Sequence, residues 1–561
     1  MGIDSGLSST DLIWVLLGAA LVFFMQAGFM VVEVGLTRAK NTGNIIMKNL
    51  FDFALGTLFY FVLGFGLMHG EDVAGIIGIP TADWLSGNMD MTALIFQTVF
   101  CATAATIVSG SMAERTKFPA YCIYSVIISM IVYPISGHWI WGGGWLSQLG
   151  FHDFAGSTAV HMVGGISAFL GALFLGPRIG KYDKDGNAKA IPGHNLTFAA
   201  LGVFILWFCW FGFNGASTYG IDGQGKVASL VYVTTNISPA AAATTCLAIT
   251  WIKYKKPDVS MCLNGALAGL VAITAGTDMV SPVAAIIIGI IAGFVVIYGC
   301  EFIEKKLKVD DPVGAVAVHG LCGAIGTILV GVFSFSNGLW GAAAGTISWA
   351  EGFSFLGVQV LGVLSVALWV TITMGLVFYV IKKTIGLRVS AEEEIGGLDY
   401  YEHGLESAYA GFEMEHSALD SIKTEEFVAP ASFKTVTETA STSPKLTKVT
   451  IIAQKSKFEI LKAALNKIGV TGMTVTEVMG CGTQKGQLYR GSPVDIALIP
   501  KVKVDVVVSA VPVQVVVDTA KLVLNSGHIG DGKIFVYDVE NVIKIRTGEE
   551  GYDALQDSPA N

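Results

Sequence analysis

The sequence has few charged residues and no paired cysteine motif, and both absences narrow what the protein can be. Only 14% of its 561 residues are charged and 53% are hydrophobic, which argues against a large soluble enzyme and indicates a membrane protein. The eight cysteines stand singly, with no CxxC pair, so they indicate neither a disulfide framework nor a zinc site. The net charge is −9, and the excess of acidic residues lies largely after Ala391. Because nucleic acid is itself negatively charged, we expect no nucleic-acid ligand.

Long apolar runs fill the first 390 residues. A helix needs about 20 apolar residues to cross the hydrocarbon of a bilayer, and we predict eleven such spans in contact with membrane lipid. Their limits are residues 11–35, 42–68, 92–112, 119–140, 155–176, 195–214, 227–252, 261–278, 281–302, 313–334 and 354–381.

The loops between these spans alternate in charge. Every second loop is almost free of Lys and Arg, with Lys226 as the exception. The other loops carry the basic residues Arg38, Lys40, Arg115, Lys117, Arg178, Lys181, Lys184, Lys189, Lys253, Lys255, Lys256, Lys305, Lys306, Lys308, Lys382, Lys383 and Arg388. Because basic loops stay in the cytoplasm, we predict an outer N-terminus and a cytoplasmic segment after Arg388. The opening "MGIDSGLSST" has no basic n-region, so we predict no signal peptide in it, and earlier removal of one stays open.

The chain changes character after Arg388. Residues 391–444 are polar, acidic and rich in Ser and Thr, as expected of a cytoplasmic linker. From Lys445 onward, alternating and amphipathic segments follow in the order strand, helix, strand, strand, helix, strand, which predicts an α+β ferredoxin-like domain. We therefore divide the chain into an all-α membrane domain at 1–390, a linker at 391–444 and a soluble domain at 445–561.

A histidine motif occurs twice in the membrane domain. "DFAGSTAVHM", residues 153–162, and "DPVGAVAVHG", residues 311–320, share Asp, Gly, Ala, Val and His at identical spacing. The motifs open spans 5 and 10, which predicts two five-span halves of opposite orientation with a substrate site between them at mid-membrane. A single histidine there is equally well explained as a helix-packing hydrogen bond. Two related ones favour a pathway, because neutral imidazole can bind a small polar solute or relay a proton.

Aromatic residues occur near these motifs. Trp141, Phe96 and Phe100 precede the first histidine, and "WFCWFGFNGAS" contains Trp210, Phe213 and Ser217. Such residues commonly belong to a core or an interfacial belt. Together with a hydroxyl they also suit a small cation, because cation–π attraction offsets part of its lost hydration.

The first ~410 residues resemble the ammonium transporter (Amt/Mep/Rh) family, through "DFAGSTAVH", "DDPVGAVAVHG", "AERTKF", "WFGFNGAS" and "GLDYYEHGLESAY". The resemblance implies a trimeric transporter, not an enzyme, with one pore per subunit and no cofactor for transport. It assigns Phe100, Trp141 and Ser217 to an outer vestibule that receives ammonium, Phe100 and Phe213 to a gate, and His161 and His319 to the pore that ammonia crosses. Asp153 matches a carboxylate that the family requires, and both a packing role and an electrostatic role stay open for it. Whether the proton passes along the two histidines also stays open.

The tail from Lys445 resembles the PII signal-protein family, through "GMTVTEVMGCGTQKGQLYRG", "PKVKV" and "GHIGDGKIFVYDVENVIKIRTGEEG". Members are trimers that bind ATP or ADP between subunits, many with magnesium and 2-oxoglutarate. The resemblance implies a prokaryotic plasma (inner) membrane protein whose regulatory ligands bind at Gly482, Gln484, Lys501, Gly530, Asp531, Gly532, Lys533, Lys544 and Arg546. Gln484 would join the magnesium site indirectly, through magnesium-ATP.

Several positions of the tail depart from the PII pattern. Lys544 and Thr483 stand where arginines are usual, which leaves the preference between ATP and ADP open. Arg490, in the retained "YRG", matches an arginine that plugs the cytoplasmic mouth of the transporter. Val494 stands where many relatives carry a modified tyrosine, so we expect no covalent switching there.

Two functions are consistent with this organisation. The first is an ammonium transporter gated by its nucleotide-binding PII domain, and the second is an ammonium sensor with little flux that signals through that domain. A channel for another neutral gas is a third reading, which the expected cation site at Trp141 and Ser217 argues against.

Overall fold

The computed structural model describes residues 7–80, 90–405, 408–409, 445–454, 457–470, 472–480, 488–489, 492–493, 499–527 and 530–555. The chain forms two compact units, Met1–Ala418 and Leu419–Asn561, which are described separately. Most of the predicted linker, residues 391–444, lies outside the described residues.

The first unit is helical, and its long segments follow the predicted spans in order. We number them Ser9–Leu36 (α1), Ala39–His69 (α2), Met91–Ser111 (α3), Phe118–Gln148 (α4), Ser157–Leu175 (α5), Leu196–Thr218 (α6), Gly225–Tyr254 (α7), Val259–Ile273 (α8), Pro282–Lys305 (α9), Val316–Phe333 (α10) and Trp349–Thr384 (α11). Within the described ranges, nine of them are long and apolar enough to cross a membrane; α7 is outside this set and α8 is apolar but shorter. Eleven spans remain our prediction.

Shorter elements connect these helices. A hairpin pairs Glu71–Val73 with Ile77–Ile79 after α2. Three short helices, Leu339–Ala343, Ala391–Gly396 and Leu398–His403, lie on either side of α11 in the chain.

The starts of several helices follow from side-chain caps. Asp90, Asp258 and Ser281 each accept a hydrogen bond from a backbone N–H in the first turn of α3, α8 and α9. Ser348 and Glu351 form a reciprocal capping box at the start of α11. These caps satisfy donors that a helix leaves unpaired at its N-terminus, and so they define where each helix begins.

Four of the long helices depart from α-helical winding. The described residues contain π-helical turns at Tyr60–Gly64, Ile128–Val132, Ser157–Met162 and Val316–Leu321. Such turns occur frequently at functional sites. The last two turns contain the histidines of the repeated motif.

Glycines bring the two histidine-bearing helices together. A Cβ atom at Gly165 of α5 would lie 2.1 Å from the backbone nitrogen of Gly320 in α10. A larger residue at Gly165 would therefore force the helices apart. Close approach through small residues is the usual way in which membrane helices pack, and here it places His161 opposite His319.

Buried ion pairs join the loops that we predict to be cytoplasmic. Glu114 contacts Arg38 at 2.5 Å and Arg178 at 3.1 Å, and Arg178 also contacts Asp310 at 2.9 Å. All four residues are buried. Burial works against ionisation of Glu114 and Asp310, but the neighbouring arginines outweigh it and hold the pKa of both carboxyls below the ordinary value.

Replacing Glu114 by Gln should therefore destabilise the protein by about 3–5 kcal/mol, because it leaves Arg38 and Arg178 buried with less compensating charge. Thermal unfolding of the detergent-solubilised full-length protein measures this loss. Since the pKa of Glu114 is lowered by folding, its contribution is present above the unfolded pKa and declines as the pH falls through the folded value. Glu304→Gln is the control, because Glu304 is 33% exposed in its pair with Lys181 and should contribute less than about 1 kcal/mol. Equal losses in both variants would contradict the prediction.

The second unit contains a four-stranded sheet with two helices. Its strands are Thr447–Gln454, Thr474–Gly480, Ile499–Val508 and Gly532–Asp538, and its helices are Phe458–Lys467 and Val513–Leu524. The spatial order of the strands is second, third, first, fourth, with all neighbours antiparallel. A two-residue pair, Leu488–Tyr489 with Ser492–Pro493, forms separately. This order of elements agrees with the predicted βαββαβ pattern.

The core of this unit follows from alternation along its strands. Val449, Ile451 and Ala453 of the first strand are buried, as are Val502 and Val504 of the third. Alternate residues of a strand face the same side of a sheet. One face is therefore apolar and packs on the helices, as the sequence pattern indicated.

Candidate functional site

Asp153 organises the backbone in front of α5. Its carboxylate accepts four backbone hydrogen bonds of 2.8–2.9 Å, from the N–H groups of Gly156, Ser157, Thr158 and Ala159. Gly156 has φ 110°, a conformation that favours glycine. Burial raises the pKa of Asp153, and these donors act in the opposite direction. Asp153 thus holds the start of the π-helical turn that carries His161.

Asp311 does the same in front of α10. Its carboxylate accepts hydrogen bonds from the N–H groups of Gly314 at 3.1 Å and Val316 at 2.8 Å, and from the hydroxyl of Ser111 at 2.9 Å. Gly314 also has a positive φ, 80°. The shared spacing of the two motifs therefore corresponds to one local structure: an aspartate, a left-handed glycine and a π-helical turn that ends near a histidine.

The two histidines face each other inside the helical unit. Their Nδ1 atoms are 3.2 Å apart and their rings are tilted by 26°. Both residues are buried. At this distance the two nitrogens can form one hydrogen bond, in which one Nδ1 carries the hydrogen and the other accepts it. The Nε2 atom of His161 has no partner within the described protein, which leaves it able to bind a small polar solute.

Stacked rings continue from the histidine pair. The rings of Phe100 and Phe213 lie 4.0 Å apart with an interplanar angle of 19°. Phe213 lies 5.4 Å from the ring of His161, and Trp210 lies 5.0 Å from it. The spacing of Trp210 and Phe213, three residues apart on α6, places both rings on one helix face. The structure thus brings the predicted gate residues next to the predicted pore residues, and adds Trp210.

Trp141 and Ser217 lie at the other side of the phenylalanine stack. The Trp141 ring meets that of Phe100 edge to face at 6.2 Å, and its Nε1–H donates to the carbonyl oxygen of Asp153 at 2.8 Å. Ser217 donates its hydroxyl hydrogen to the carbonyl oxygen of Phe213 at 2.8 Å, which leaves the hydroxyl oxygen free to accept. Trp141 and Ser217 are partly exposed. The order from the partly exposed end is therefore Trp141, the phenylalanines, then the histidines.

Three polar contacts near this end were not anticipated from the sequence. Gln97 accepts from the hydroxyl of Tyr133 and donates to that of Tyr219, and His152 contacts Asp278 at 3.0 Å. The partners are far apart in the chain and form no periodic pattern. Only the position of His152 directly before Asp153 in the sequence could have pointed to a role for His152.

Some of the predicted nucleotide-binding residues fall within the part of the chain that the structure describes. Lys501 donates its Nζ hydrogen to the carbonyl oxygen of Gly530 at 2.8 Å, which places it at the "GDGK" turn. Gly530 and Gly532 have φ of 118° and 126°, and a Cβ atom at Gly532 would lie 1.9 Å from the carbonyl oxygen of Ile452. Only glycine fits this backbone without displacement.

The remaining predicted residues of the tail differ in their exposure to solvent and in their contacts. Lys533 and Arg546 are exposed, while Lys544 is partly buried and contacts Glu549 at 3.4 Å. Asp531 accepts from the backbone N–H of Ser526 at 2.8 Å. The predicted residues Gly482, Gln484 and Arg490 lie outside the described residues.

Helices of membrane length, with two repeated motifs that place a histidine pair inside them, define a polytopic membrane protein with an internal polar site. Residues 13–409 match the Ammonium Transporter Family, and residues 446–549 match the nitrogen regulatory protein P-II. The chain therefore belongs to the ammonium transporter family and carries a C-terminal PII domain, as the sequence predicted.

Relatives from several kingdoms share the membrane domain. The chain is 48% identical over 422 residues to ammonium transporter Amt2 of Archaeoglobus fulgidus, covering 72% of this chain and 88% of that one. It is 39% identical over 404 residues to ammonium transporter 1 member 1 of Arabidopsis thaliana, covering 66% and 79%.

Solved structures share the same fold. A protein described as "Sensor Amt Protein" is 40% identical, with a TM-score of 0.66 over 70% of this chain and 98% of its own. Candida albicans Mep2 is 24% identical, with a TM-score of 0.61 over 70% of this chain and 89% of its own, a likeness that concerns the fold alone.

Proposed function

We propose that the protein conducts ammonium-derived nitrogen through the histidine pore, under control of its PII domain. The observation that carries this proposal is the continuous series from Trp141 through Phe100 and Phe213 to His161 and His319. We further propose eleven spans as an inverted five-plus-five repeat, an outer N-terminus, and a cytoplasmic PII domain in a prokaryotic inner membrane. Both domains would form homotrimers.

Capture of the cation would occur at the partly exposed end. The Trp141 ring and the edge-to-face Phe100 ring offer aromatic faces, and the free lone pair of Ser217 can accept an N–H of ammonium. A cation–π contact compensates part of the hydration that ammonium loses. Asp153 would support this site through its carbonyl, which receives the Trp141 N–H.

Passage would require loss of the proton. The stacked rings of Phe100 and Phe213 close the route with apolar surface, where a bare cation is costly. Neutral ammonia crosses such a constriction more cheaply. Beyond it, the free Nε2 of His161 and the shared proton of the pair offer hydrogen bonds to ammonia or a route for a proton.

Trp141→Leu should weaken ammonium capture by about two- to thirty-fold, because a cation–π contact contributes roughly 0.5–2 kcal/mol. The half-saturation concentration of ammonium-driven current in proteoliposomes measures this change. Trp145→Leu is the matched control, since that ring packs on Trp139 and should leave half-saturation unchanged. An unchanged value in Trp141→Leu would contradict a recruitment site there, and a change in maximal rate alone would point to the gate.

Regulation would use ATP or ADP at the "GDGK" turn. Its glycines allow backbone N–H groups to approach a phosphate, and Lys533, Lys544 and Arg546 would add positive charge. Lys501, fixed on Gly530, and Gln484 would contribute to binding of magnesium-ATP and 2-oxoglutarate. Transport itself would need no cofactor.

A second candidate function is supported by the 40% identity to the protein described as "Sensor Amt Protein". In that case the membrane domain would carry little flux, and ammonium binding would change the state of the PII domain. Binding coupling is reciprocal, so ammonium would then alter nucleotide affinity while nucleotide alters ammonium affinity.

Current and luminal pH in proteoliposomes of the full-length protein separate the two functions. A transporter gives a saturable ammonium-induced current or a change in luminal pH. A sensor gives neither, and ammonium instead changes ATP or ADP affinity measured on the same protein. Absence of both flux signals would overturn the proposed transport function.

A further inference from the structure

A second set of buried polar side chains lies between α1, α2, α3 and α4. We define it as the buried polar cluster: Gln26, Glu33, Lys48, Asn49, Asp52 and Tyr121. Glu33 is 3% exposed, and Lys48 and Asp52 are fully buried. In the part of the chain that the structure describes, no salt bridge joins any of these three ionisable residues. Ionisable groups inside a membrane domain are costly and are usually functional.

Glu33 is the best-connected member of the cluster. Its Oε2 atom accepts a hydrogen bond from Ser109 of α3 at 2.8 Å and one from Asn49 of α2 at 3.3 Å. Asp52 of α2 accepts a hydrogen bond from Ser125 of α4. The Lys48 Nζ atom lies 5.4 Å from the centre of the Tyr121 ring. Four helices therefore contribute to one polar interior.

Several polar atoms of the cluster have no hydrogen-bond partner among the described residues. They include donors and acceptors: Gln26 Nε2, Lys48 Nζ, Asn49 Oδ1, Asp52 Oδ2 and the Tyr121 hydroxyl. The hydroxyl of Tyr124, whose ring lies 5.1 Å from that of Tyr121, likewise has no partner among the described residues. Buried polar groups are almost always hydrogen-bonded, and ordered water is the common partner when protein groups are not. The cluster thus provides both kinds of group that a chain of water molecules needs.

One end of the cluster approaches the histidine pore. A Cβ atom at Gly110 would lie 3.5 Å from Cγ of Glu33 and 2.4 Å from Val313, which belongs to the His319 motif. Gln26 accepts from Thr106 at 2.9 Å. Phe29 lies between Gln26 and Glu33 on α1, and its ring is 6.0 Å from that of His319. Phe29 precedes Glu33 by one helical turn, so a neighbour of Glu33 on the same helix face contacts the pore histidine His319.

The other end approaches a partly exposed region. Asn44 lies one helical turn before Lys48 and its amide contacts Nε2 of His403 at 3.0 Å. Glu402 precedes His403 in the chain. Both Glu402 and His403 are partly exposed. The cluster consequently extends from beside the pore to residues that reach solvent.

We propose that the buried polar cluster is a hydrated proton path between the histidine pore and the face that carries His403, with Glu33 as its proton-exchanging residue. This inference rests on the proposed transport function. Ammonium yields ammonia and one proton; ammonia continues along the pore, and the proton reaches the Glu33 carboxylate, which becomes a neutral acid. Glu33 then passes that proton to water beside Lys48 and regains its charge, so no other reactant is needed.

Glu33→Gln in the full-length protein tests the path. The amide keeps the size and hydrogen bonds of the side chain but cannot take up a proton. Ammonium-driven current in proteoliposomes should fall by at least about tenfold, since a positioned proton acceptor contributes roughly 10²–10⁴-fold. Ammonia entering without its proton should now raise luminal pH, which a luminal indicator reports. Glu301→Gln is the control, because Glu301 pairs with Lys253 away from the cluster, and its current should match the wild type.

Current and luminal pH in Glu33→Gln and in the wild type separate failure of the proton path from failure of the transport function. Wild-type current in Glu33→Gln would overturn the path while leaving the transport function intact. A parallel loss of current and ammonia entry, without luminal alkalinisation, would reduce Glu33 to a structural residue and also overturn it. Absence of both signals in the wild type would overturn the transport function instead.

A second variant covers the case in which Glu33→Gln does not fold. Tyr121→Phe combined with Tyr124→Phe removes two unpartnered hydroxyls and preserves volume and net charge. It should lower the current by about threefold or more, with half-saturation unchanged, because positioned polar groups of a relay are lost. Unchanged current in this variant would overturn the path.

Discussion

Proteoliposomes that contain His161→Ala or His319→Ala should lose coupled movement of proton and ammonia. Each substitution removes one partner of the 3.2 Å Nδ1–Nδ1 contact, so a proton can no longer be exchanged between the rings. Ammonium-driven current should fall by about 10²-fold or more, the range expected for loss of a positioned proton carrier. Solid-supported-membrane current and a luminal pH indicator, read on the same vesicles, measure both movements.

His194→Gln is the control for these variants. His194 contacts the carbonyl oxygen of Thr37 and the hydroxyl of Tyr409, away from the stacked rings, and its replacement should leave the current unchanged. The oligomeric state and thermal stability of every variant should be checked in parallel. Wild-type currents in both alanine variants would contradict a functional role of the pair.

Transport by an Arg490→Ala variant should no longer respond to ADP. By its resemblance to the PII family, the sequence around Arg490 keeps "YRG" but has Val494 where many relatives carry a modified tyrosine, so we expect ligand to replace modification as the switch in this loop. With ADP the loop would be free to block the pore. With magnesium-ATP and 2-oxoglutarate it would be held back at Gln484 and Lys501. Arginine suits such a plug, because its guanidinium reaches backbone carbonyls and does not shed its proton.

Current with and without ADP, alongside direct ADP binding, tests this plug. Lys485→Ala removes a neighbouring charge of the same loop and should keep the ADP response. If ADP inhibits Arg490→Ala as strongly as the wild type, regulation must run elsewhere. The segment around Asp399 and His403 would then be the candidate, since both residues contact Asn44 of α2.

Much of the membrane domain could be predicted from the sequence because hydrophobic length and motif spacing are local properties. The family was correctly identified from the "DFAGSTAVH" and "DDPVGAVAVHG" motifs. The helices lie where the apolar runs predicted them, although α8 is shorter than its predicted span at 261–278. The π-helical turns at His161 and His319 could not be predicted, because their winding depends on Asp153 and Asp311 capping the preceding backbone.

Contacts between distant residues that neither the repeated motif nor the family resemblance singles out were beyond prediction. Lys48 and Asp52 lie inside the predicted span 42–68. The span remains apolar enough to be predicted despite these two charged residues, so hydropathy gave no reason to single them out. Glu33, Ser109 and Asn49 meet only because α1, α2 and α3 pack together. The same holds for Glu114 with Arg38 and Arg178. In each case the chemistry arises from tertiary packing of residues that have no shared sequence period.

The central claim is that one chain both transports ammonium and regulates that transport through its PII domain. The most direct test is ammonium-driven current through reconstituted full-length protein, recorded first without ligand, then with ADP, then with magnesium-ATP and 2-oxoglutarate on both sides of the membrane. We predict a saturable current that ADP suppresses and that magnesium-ATP with 2-oxoglutarate restores. A current that is indifferent to all three ligands would contradict regulation by the PII domain, and no current under any condition would contradict transport itself.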